Sequence, residues 1–308
     1  VSVSPGFEQV PCPICGSEES RVVLRRGDLM LSSEGEFTVT ECLACRHQFL
    51  NPRPTREAIH EHYEDEYDQF IVAGQENRLR QLDHDYGQRK RLRLLKRHIA
   101  GGRLIDVGCG GCAFLLSASR SGDWDVLGIE PSAATAEACR SLLGLSVMTS
   151  SWEGADVPAE SADVITLWEV LEHLHDPLAT IRKCYRVLRP GGLLVISTPN
   201  RGSLDARLFG PYWVGYELPR HLHMFRQEHL QEILAAEGLK VEEVCLPDGA
   251  FFAFNTSLRF YLRDHGAPGW LQRAIFSLPL RAVSAPFFWV SGKLLLGSSL
   301  TTVARKPA

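Results

Sequence analysis

The sequence predicts an α/β protein: a doubly wound sheet of seven strands, with a small cysteine-rich module ahead of it and a helical insertion before the last strand. Three observations carry that prediction. From Arg103 onward, short apolar runs alternate with segments of helical periodicity, the pattern of a sheet with crossover helices. The first run ends in Ile105-Asp106-Val107-Gly108-Cys109-Gly110-Gly111, a glycine-rich strand-to-helix turn. The first 45 residues hold two Cys-x-x-Cys pairs.

With 308 residues the chain is long enough for about two domains. Apolar residues make up 44% and charged residues 23%, which fits a globular protein and excludes a disordered or collagenous one. A formal net charge of -4 excludes a generally basic surface of the kind nucleic acid selects, so nucleic acid is not the expected partner. Nine cysteines, an odd number and a small share of the chain, do not suit a disulfide-stapled secreted scaffold and point to a reducing compartment. Residues 1–9 show no cationic start followed by an apolar stretch, so no secretory signal is read there and the cytoplasm is the expected location.

In chain order, Cys12/Cys15 and Cys42/Cys45 come first. Two thiolates three positions apart on a tight knuckle take adjacent corners of a tetrahedron, and the second knuckle supplies the other two. Pro11, Pro13 and Gly16 provide the turn chemistry. A closed four-thiolate site has no open coordination position, so a structural zinc in a ribbon-like module over 1–54 is expected. A connector over 55–100 follows Asn51-Pro52-Arg53-Pro54, with Thr55 as its N-cap. The stretch containing Tyr63, Tyr67 and Phe70 reads as helix, and 76–99 as a second helix with Leu79, Leu82, Tyr86, Leu92 and Leu95 at its apolar positions. Arg78, Arg80, Arg89, Lys90, Arg91, Arg93, Lys96 and Arg97 make that helix cationic, either as a solvated face or as a contact for an anionic substrate, lipid or RNA.

The sheet occupies 101–250 and is completed by 298–308. Its strands are read at 104–107, 126–129, 147–148, 164–167, 193–198, 241–246 and 299–304, and the helices between them at 113–120, 133–143, 177–188 and 227–237. Gly108 and Gly110 let the backbone of the first turn take positive φ and approach a ligand closely. Gly128-Ile129-Glu130 puts a carboxylate at the next strand end, where it accepts the ribose hydroxyls of a nucleoside.

On these residues the sequence resembles the class I S-adenosylmethionine-dependent methyltransferases, whose sheet is Rossmann-like. The first turn looks like their first motif, Glu130 like their ribose-binding acid, Val170-Leu171-Glu172-His173-Leu174 like the motif after strand four, and Pro190-Gly191-Gly192 like the turn into strand five. The cysteine knuckles followed by Asn51-Pro52-Arg53-Pro54 resemble a bacterial subgroup acting on glycans, lipids and other small metabolites. The resemblance implies S-adenosyl-L-methionine as cofactor. Asp106, Gly108, Cys109 and Gly110 would surround its methionine part, Glu130 the ribose, and Ser151 and Trp152 the adenine, with the Trp152 ring offered for stacking. Trp168 and Glu169 would face the methyl group.

Glu169, Glu172 and His173 lie at i, i+3 and i+4, which on a helical turn puts them on one face. With His221 they are similar to the Glu-x-x-Glu-His plus distant His set of metal-dependent RNA 2′-O-methyltransferases and of ubiquinone-pathway O-methyltransferases. By that resemblance all four would hold Mg2+ or another divalent ion; His223 has no counterpart. Three readings stay open: metal-assisted deprotonation, a histidine acting alone as general base, and structural roles for the set.

The insertion over 251–297 starts with Phe251-Phe252-Ala253-Phe254. Arg259, Arg263, Arg273, Arg281 and Lys293 outnumber Asp264 within it, and Val283, Phe287, Val290 and Leu294 recur at helical spacing. Its uncharged stretch, 282–292, is shorter than the roughly 20 residues a membrane span requires. Such a segment either lies on a membrane surface as a peripheral contact or packs over the active site or a second subunit. Both readings favour an amphiphilic acceptor. The expected enzyme is a methyltransferase acting on a hydroxyl of a glycan, a lipid-linked saccharide or a quinone-like small molecule. Its rivals are an RNA 2′-O-methyltransferase and a noncatalytic assembly protein; the intact Asp106, Gly108, Gly110 and Glu130 speak against the latter.

Overall fold

The computed structural model describes residues 5–63, 73, 78–246 and 251–308, with side chains of the helix that begins at Arg78 described from Asp85 onward. Five short strands open the chain: β1 (Phe7–Glu8), β2 (Ser20–Arg26), β3 (Phe37–Cys42), β4 (Gln48–Leu50) and β5 (Arg53–Pro54). A 3-10 turn at Ile59–His62 and helix α1 (Arg78–Lys96) follow. Then β6 (Gly102–Val107), α2 (Ala113–Arg120), β7 (Trp124–Glu130), α3 (Ala133–Leu143), β8 (Val147–Thr149), β9 (Ala162–Trp168), α4 (Pro177–Val187) and β10 (Leu188–Pro199) alternate. The chain ends through α5 (Leu204–Phe209), β11 (His223–Met224), α6 (Gln227–Ala236), β12 (Lys240–Cys245), α7 (Phe251–Asp264), α8 (Gly269–Ala274), α9 (Leu278–Lys293) and β13 (Ser299–Arg305).

Seven strands form the main sheet in the order β12-β13-β10-β9-β6-β7-β8. All neighbours from β10 to β8 run parallel, and β13 lies antiparallel to both β10 and β12, so the sheet is mixed at one edge. The chain reaches the β8 edge and then returns to β9 beside β6, which makes the carboxyl ends of β6 and β9 a switch point open to ligands. Alternate strand residues feed two cores. Ile105 and Ile165 pack on one face with Ile181 and Leu234, while Leu104 and Val164 pack on the other with Leu92, Phe114 and Leu115. Burial on both faces explains why the central strands read as continuous apolar runs.

Local chemistry sets the helix ends. Ser132 accepts the Thr135 N–H at the start of α3, and Gly144, at φ +67, ends it. Asp176 caps α4 with Pro177 in its first turn.

The N-terminal sheet has the order β11-β4-β3-β2, so its fourth strand comes from more than 170 residues later, with His223 opposite Phe49 and Met224 opposite Gln48. Just before β11, the buried Arg220 guanidinium grips Asp28 through two bonds of 2.8 and 3.0 Å and also donates to the His62 carbonyl. The cysteine-rich module is therefore knitted to the segment that carries His221.

Three expectations change. The stretch after Thr55 forms only the 3-10 turn among the described residues, and Tyr67 and Phe70 lie outside them. On α1, Leu92 and Leu95 are buried as expected but Tyr86 is exposed; the side chains of Arg78, Leu79, Arg80 and Leu82 lie outside the described residues. In the insertion, Val283, Phe287, Val290 and Leu294 all face outward, with Val283 79% exposed, so this stripe does not pack over the site. No helix among the described residues is long and apolar enough to cross a membrane.

Candidate active site and cysteine cluster

The glycine turn leaves β6 with Gly108 at φ +65 and Gly110 at φ +49. A Cβ on Gly108 would stand 2.8 Å from Val170 Cγ2, so the turn runs tight against the loop after β9. Gly108 and Cys109 both donate to the Ile129 carbonyl, at 2.8 and 3.2 Å, which joins the turn to the end of β7. Glu130 sits there, 3% exposed, with Oε2 accepting from Gly110 N–H and Oε1 from Ser132 N–H, both at 2.9 Å. Burial raises its pKa, and those two amides oppose the rise. Cys109 shows why position 128 is glycine: a Cβ there would stand 2.6 Å from its sulfur.

Asp106, at the end of β6, accepts the Thr166 hydroxyl. Burial pushes its carboxyl up to about 7, against the Thr166 hydrogen bond and the nearby Arg91 charge. An acid whose folded pKa lies above its unfolded value, 3.8 here, weakens the fold as pH rises, because the folded state must give up a proton it holds more tightly. The loss falls between pH 3.8 and about 7. Asp106→Asn keeps the oxygen that Thr166 bonds. Thermal melts of cofactor-free protein are expected to show this variant matching the parent near pH 4 and exceeding it by about 3 kcal/mol near pH 7. A constant difference across that range would contradict the cause assigned here.

Ser151, in the loop after β8, is exposed and caps Gly154. The Trp152 ring does not present a stacking face: it is 2% exposed within the core, with Lys183 4.8 Å from its centroid. An apolar side chain in a loop over the core is drawn inward by burial, and this corrects the stacking expectation. Trp168, at the end of β9, packs edge-on against Phe114 and lies beneath the Arg91 guanidinium, 4.6 Å from its ring centroid.

Past β9 the chain makes a 3-10 turn, Leu171–His173. It brings Glu172 and His173 together with His221, the ligand atoms of all three lying within 4.8 Å of one another. Glu169 lies beside Glu172, but its carboxylate is not among the ligand atoms that all converge within 4.8 Å. Its backbone is left-handed, φ +55, and precedes the turn, so the i, i+3, i+4 face expected of a helix is absent; its Oε1 accepts the hydroxyls of Ser197 and Ser299 instead. His223 points elsewhere, with Nε2 2.9 Å from the Leu174 carbonyl and Nδ1 3.2 Å from His47.

Within the cluster the hydrogen bonds define which atoms remain available. His173 Nδ1 lies 3.1 Å from the Arg220 carbonyl, and His221 Nδ1 lies 2.9 Å from the Gly215 carbonyl. Carbonyls only accept, so both Nδ1 atoms carry the proton and both Nε2 atoms keep a lone pair. His173 Nε2 and both Glu172 oxygens are buried without a hydrogen-bond partner among the described residues. Burial, with His221 alongside, pulls His173 down to about 3; burial, with the Glu169 carboxylate near, drives Glu172 well above the usual carboxylate range. Tyr63, whose hydroxyl lies 3.0 Å from His173 Nδ1, and the Gly215 and Arg220 carbonyls escaped the sequence reading, because no local pattern links them to residue 173.

The four knuckle cysteines form the second cluster, also within 4.8 Å. Cys12 and Cys45 sulfurs lie 3.5 Å apart, as do those of Cys15 and Cys42. Burial raises the Cys42 thiol, yet the Cys45 N–H, the Cys15 thiol and the Ala44 N–H outweigh it and bring the pKa to about 7. Four converging sulfurs, one already prone to ionise, suit a thiophilic metal.

A glycine turn at the switch point of a doubly wound sheet, an acid on the adjoining strand end and a histidine-carboxylate cluster beside them define an α/β enzyme that uses a nucleoside-containing cofactor. Residues 76–244 match the methyltransferase domain family, and the chain belongs to it. The chain is similar to the ubiquinone biosynthesis O-methyltransferase of Hahella chejuensis, 34% identical over 186 residues covering 58% of this chain and 77% of that protein. It is 36% identical over 159 residues to the protein of that name from Pseudomonas savastanoi pv. phaseolicola, covering 47% and 68%. In fold it is similar to an S-adenosylmethionine-dependent methyltransferase from Thermotoga maritima, with TM-score 0.50, 18% identity, and 80% and 98% of the two chains covered. The protein is an S-adenosylmethionine-dependent methyltransferase.

Proposed function

We propose that the protein transfers the methyl group to a hydroxyl oxygen of an amphiphilic small molecule, of the glycan, lipid-linked saccharide or quinone-like class. The observation that carries this reading is the cluster of Glu172, His173 and His221 beside the switch point, in which both Glu172 oxygens and His173 Nε2 are buried acceptors without a partner among the described residues. A hydroxyl must lose its proton as it attacks, and the lone pairs of this set are placed to take it. The ubiquinone biosynthesis O-methyltransferases, to which the chain is similar, are named for the same bond.

In this reading Asp106, Gly108, Cys109 and Gly110 hold the methionine part of the cofactor, Glu130 the ribose and Ser151 the adenine edge, with Trp168 beside the methyl group. The bare backbone at Gly108 and Gly110 permits close approach, and the Glu130 carboxylate is fixed by two amides before any ligand arrives. The cofactor supplies an activated methyl carbon on a sulfonium. As the acceptor oxygen bonds that carbon and the carbon-sulfur bond breaks, the hydroxyl proton leaves toward the Glu172/His173/His221 cluster. The donor set also fits a divalent ion such as Mg2+, because both Glu172 oxygens and His173 Nε2 lack hydrogen-bond partners among the described residues, His221 Nε2 has only the Glu217 carboxylate 3.7 Å away, and both tautomers are fixed by carbonyls. When bound, such an ion supplies Lewis acidity that lowers the hydroxyl pKa. Zinc at Cys12, Cys15, Cys42 and Cys45 serves structure.

The chain divides on this reading into a ribbon at 1–54, a connector at 55–100, a catalytic domain at 101–250 with 298–308, and an insertion at 251–297, with β11 lent by the catalytic domain to the ribbon. The outward stripe on α9 supports a peripheral membrane contact. Isotope-labelled cofactor incubated with the protein and fractionated cell extract tests the acceptor class: label is expected in methyl ethers of lipid-extractable or glycan material. Label recovered only on amines, carbon or RNA would overturn the proposal.

A further inference from the structure

Along α9 and its C-terminal end, Leu280, Val283, Phe287, Val290 and Leu294 recur at intervals of three and four residues, so they share one side of the helix, and all five are exposed. Leu278 and Trp289 on the same helix and Trp270 on α8 add to this surface at 72%, 66% and 65% exposure. Each of these side chains shows on the order of 100 Å2 to solvent, and together they exceed the few hundred Å2 of apolar patch usual on a monomeric soluble protein. The other side of α9 faces the protein, where Ser291 is buried and Phe288 packs edge-on against Phe251 and Phe254. The stripe is therefore an outer face, not a core face out of register.

Charge around the stripe has one sign. The last of the 37 acidic residues is Asp264, so α8, α9 and the turns beside them carry Arg273, Arg281 and Lys293 and no carboxylate. Arg281 lies half-buried against the Phe252 ring, 5.1 Å from its centroid, whereas Arg273 and Lys293 are exposed. Across a groove lined by α1 and α9, α1 adds Lys90 and the exposed Arg93. Glu243, the carboxylate of that lining among the described residues, is paired with Arg97.

We propose that the outer face of α8 and α9 is a docking surface for an anionic phospholipid bilayer, with α9 lying in the plane of the interface; the proposal rests on the peripheral contact read above and not on the identity of the acceptor. A second copy of the chain would also cover the stripe, but it would set the same cations against one another with no carboxylate to answer them. A bilayer meets both demands. The stripe enters the acyl boundary by about 5–10 Å, Trp270 and Trp289 sit at head-group level, and Arg273 and Lys293 reach the lipid phosphates. Past α9 the chain enters β13 at Ser299, whose hydroxyl bonds Glu169, so the docked helix is continuous with the strand that borders the methyl site of the reading above.

Co-sedimentation of the full chain with vesicles of equal parts phosphatidylglycerol and phosphatidylcholine, against vesicles of phosphatidylcholine alone, tests this. Binding about ten-fold or more tighter to the anionic vesicles is expected, weakening as salt rises. Val283→Glu/Val290→Glu is expected to weaken it by about ten-fold or more while melting and binding the cofactor as the parent does. Lys293→Glu is expected to reduce the preference for anionic vesicles by about five-fold or more. Vesicle binding untouched by the glutamate pair, or a dimer in lipid-free sedimentation that the same pair splits into monomers, would overturn the proposal. Equal affinity for both kinds of vesicle would also overturn it, while leaving the peripheral contact itself in place.

Discussion

Glu172→Gln is expected to lower methyl transfer by about a hundred-fold to ten-thousand-fold while leaving cofactor affinity within about two-fold. Glu172 is fully buried, and neither oxygen has a hydrogen-bond partner among the described residues. A carboxyl group buried in that way destabilises the fold unless another partner compensates, so its place here points to the reaction rather than to packing. The amide keeps the size and removes the group that can take or give up a proton, which separates chemistry from shape. Glu169→Gln provides the contrast. Glu169 adjoins Glu172 but accepts the Ser197 and Ser299 hydroxyls and is not one of the three converging ligands, and its loss is expected to cost about ten-fold or less. Single-turnover rates with calorimetric cofactor binding decide the matter, and parent-like rates in Glu172→Gln would remove the cluster from the mechanism. Metal content of the purified variants adds a readout independent of turnover: the parent is expected to bind one divalent ion more than Glu172→Gln.

Cys42→Ser is expected to release the cysteine-bound metal, loosen the N-terminal sheet and reduce methyl transfer by about a hundred-fold, again with cofactor binding preserved. The route is a chain of backbone contacts. Cys42 ends β3, β3 pairs with β4, and β4 pairs with β11. Leu50 N–H donates to the Leu222 carbonyl, and Leu222 N–H donates to the Glu172 carbonyl. His221 is thus fixed between the ribbon sheet and the turn that carries Glu172. The cofactor turn hangs on β6 and β7 and makes none of these bonds. Structural zinc sites contribute folding energy outright, so loss of one thiolate should propagate along this path. Hydrogen exchange is expected to rise in β3, β4 and β11 and to stay low in β6 and β7. Retained activity in protein shown to lack the metal would contradict the coupling.

The parts legible in the sequence share a physical basis. Strand ends near Val107, Ile129 and Trp168 follow from apolar runs buried on both faces; α2 and α3 match their expected spans, α3 because Ser132 and Gly144 cap it locally. The glycine turn, Glu130 and the paired cysteine knuckles are legible for the same reason. Glu169 was misplaced because a helical face was assumed where the backbone turns left-handed. Trp152 was misplaced because an aromatic in a loop carries no local sign of which way it faces; the core behind it decided.

By itself the sequence determined the class of fold, the cofactor turn and the four-sulfur knuckles, since each is written in short-range spacing and backbone preference. Only the tertiary structure decided that His221 meets Glu172 and His173, that β11 completes the ribbon sheet, and that cations of α1 and α9 face one groove. Those arrangements depend on strand order and on ion pairs such as Arg220–Asp28 across 192 positions of chain, and separations of that length leave no periodicity for a sequence to show.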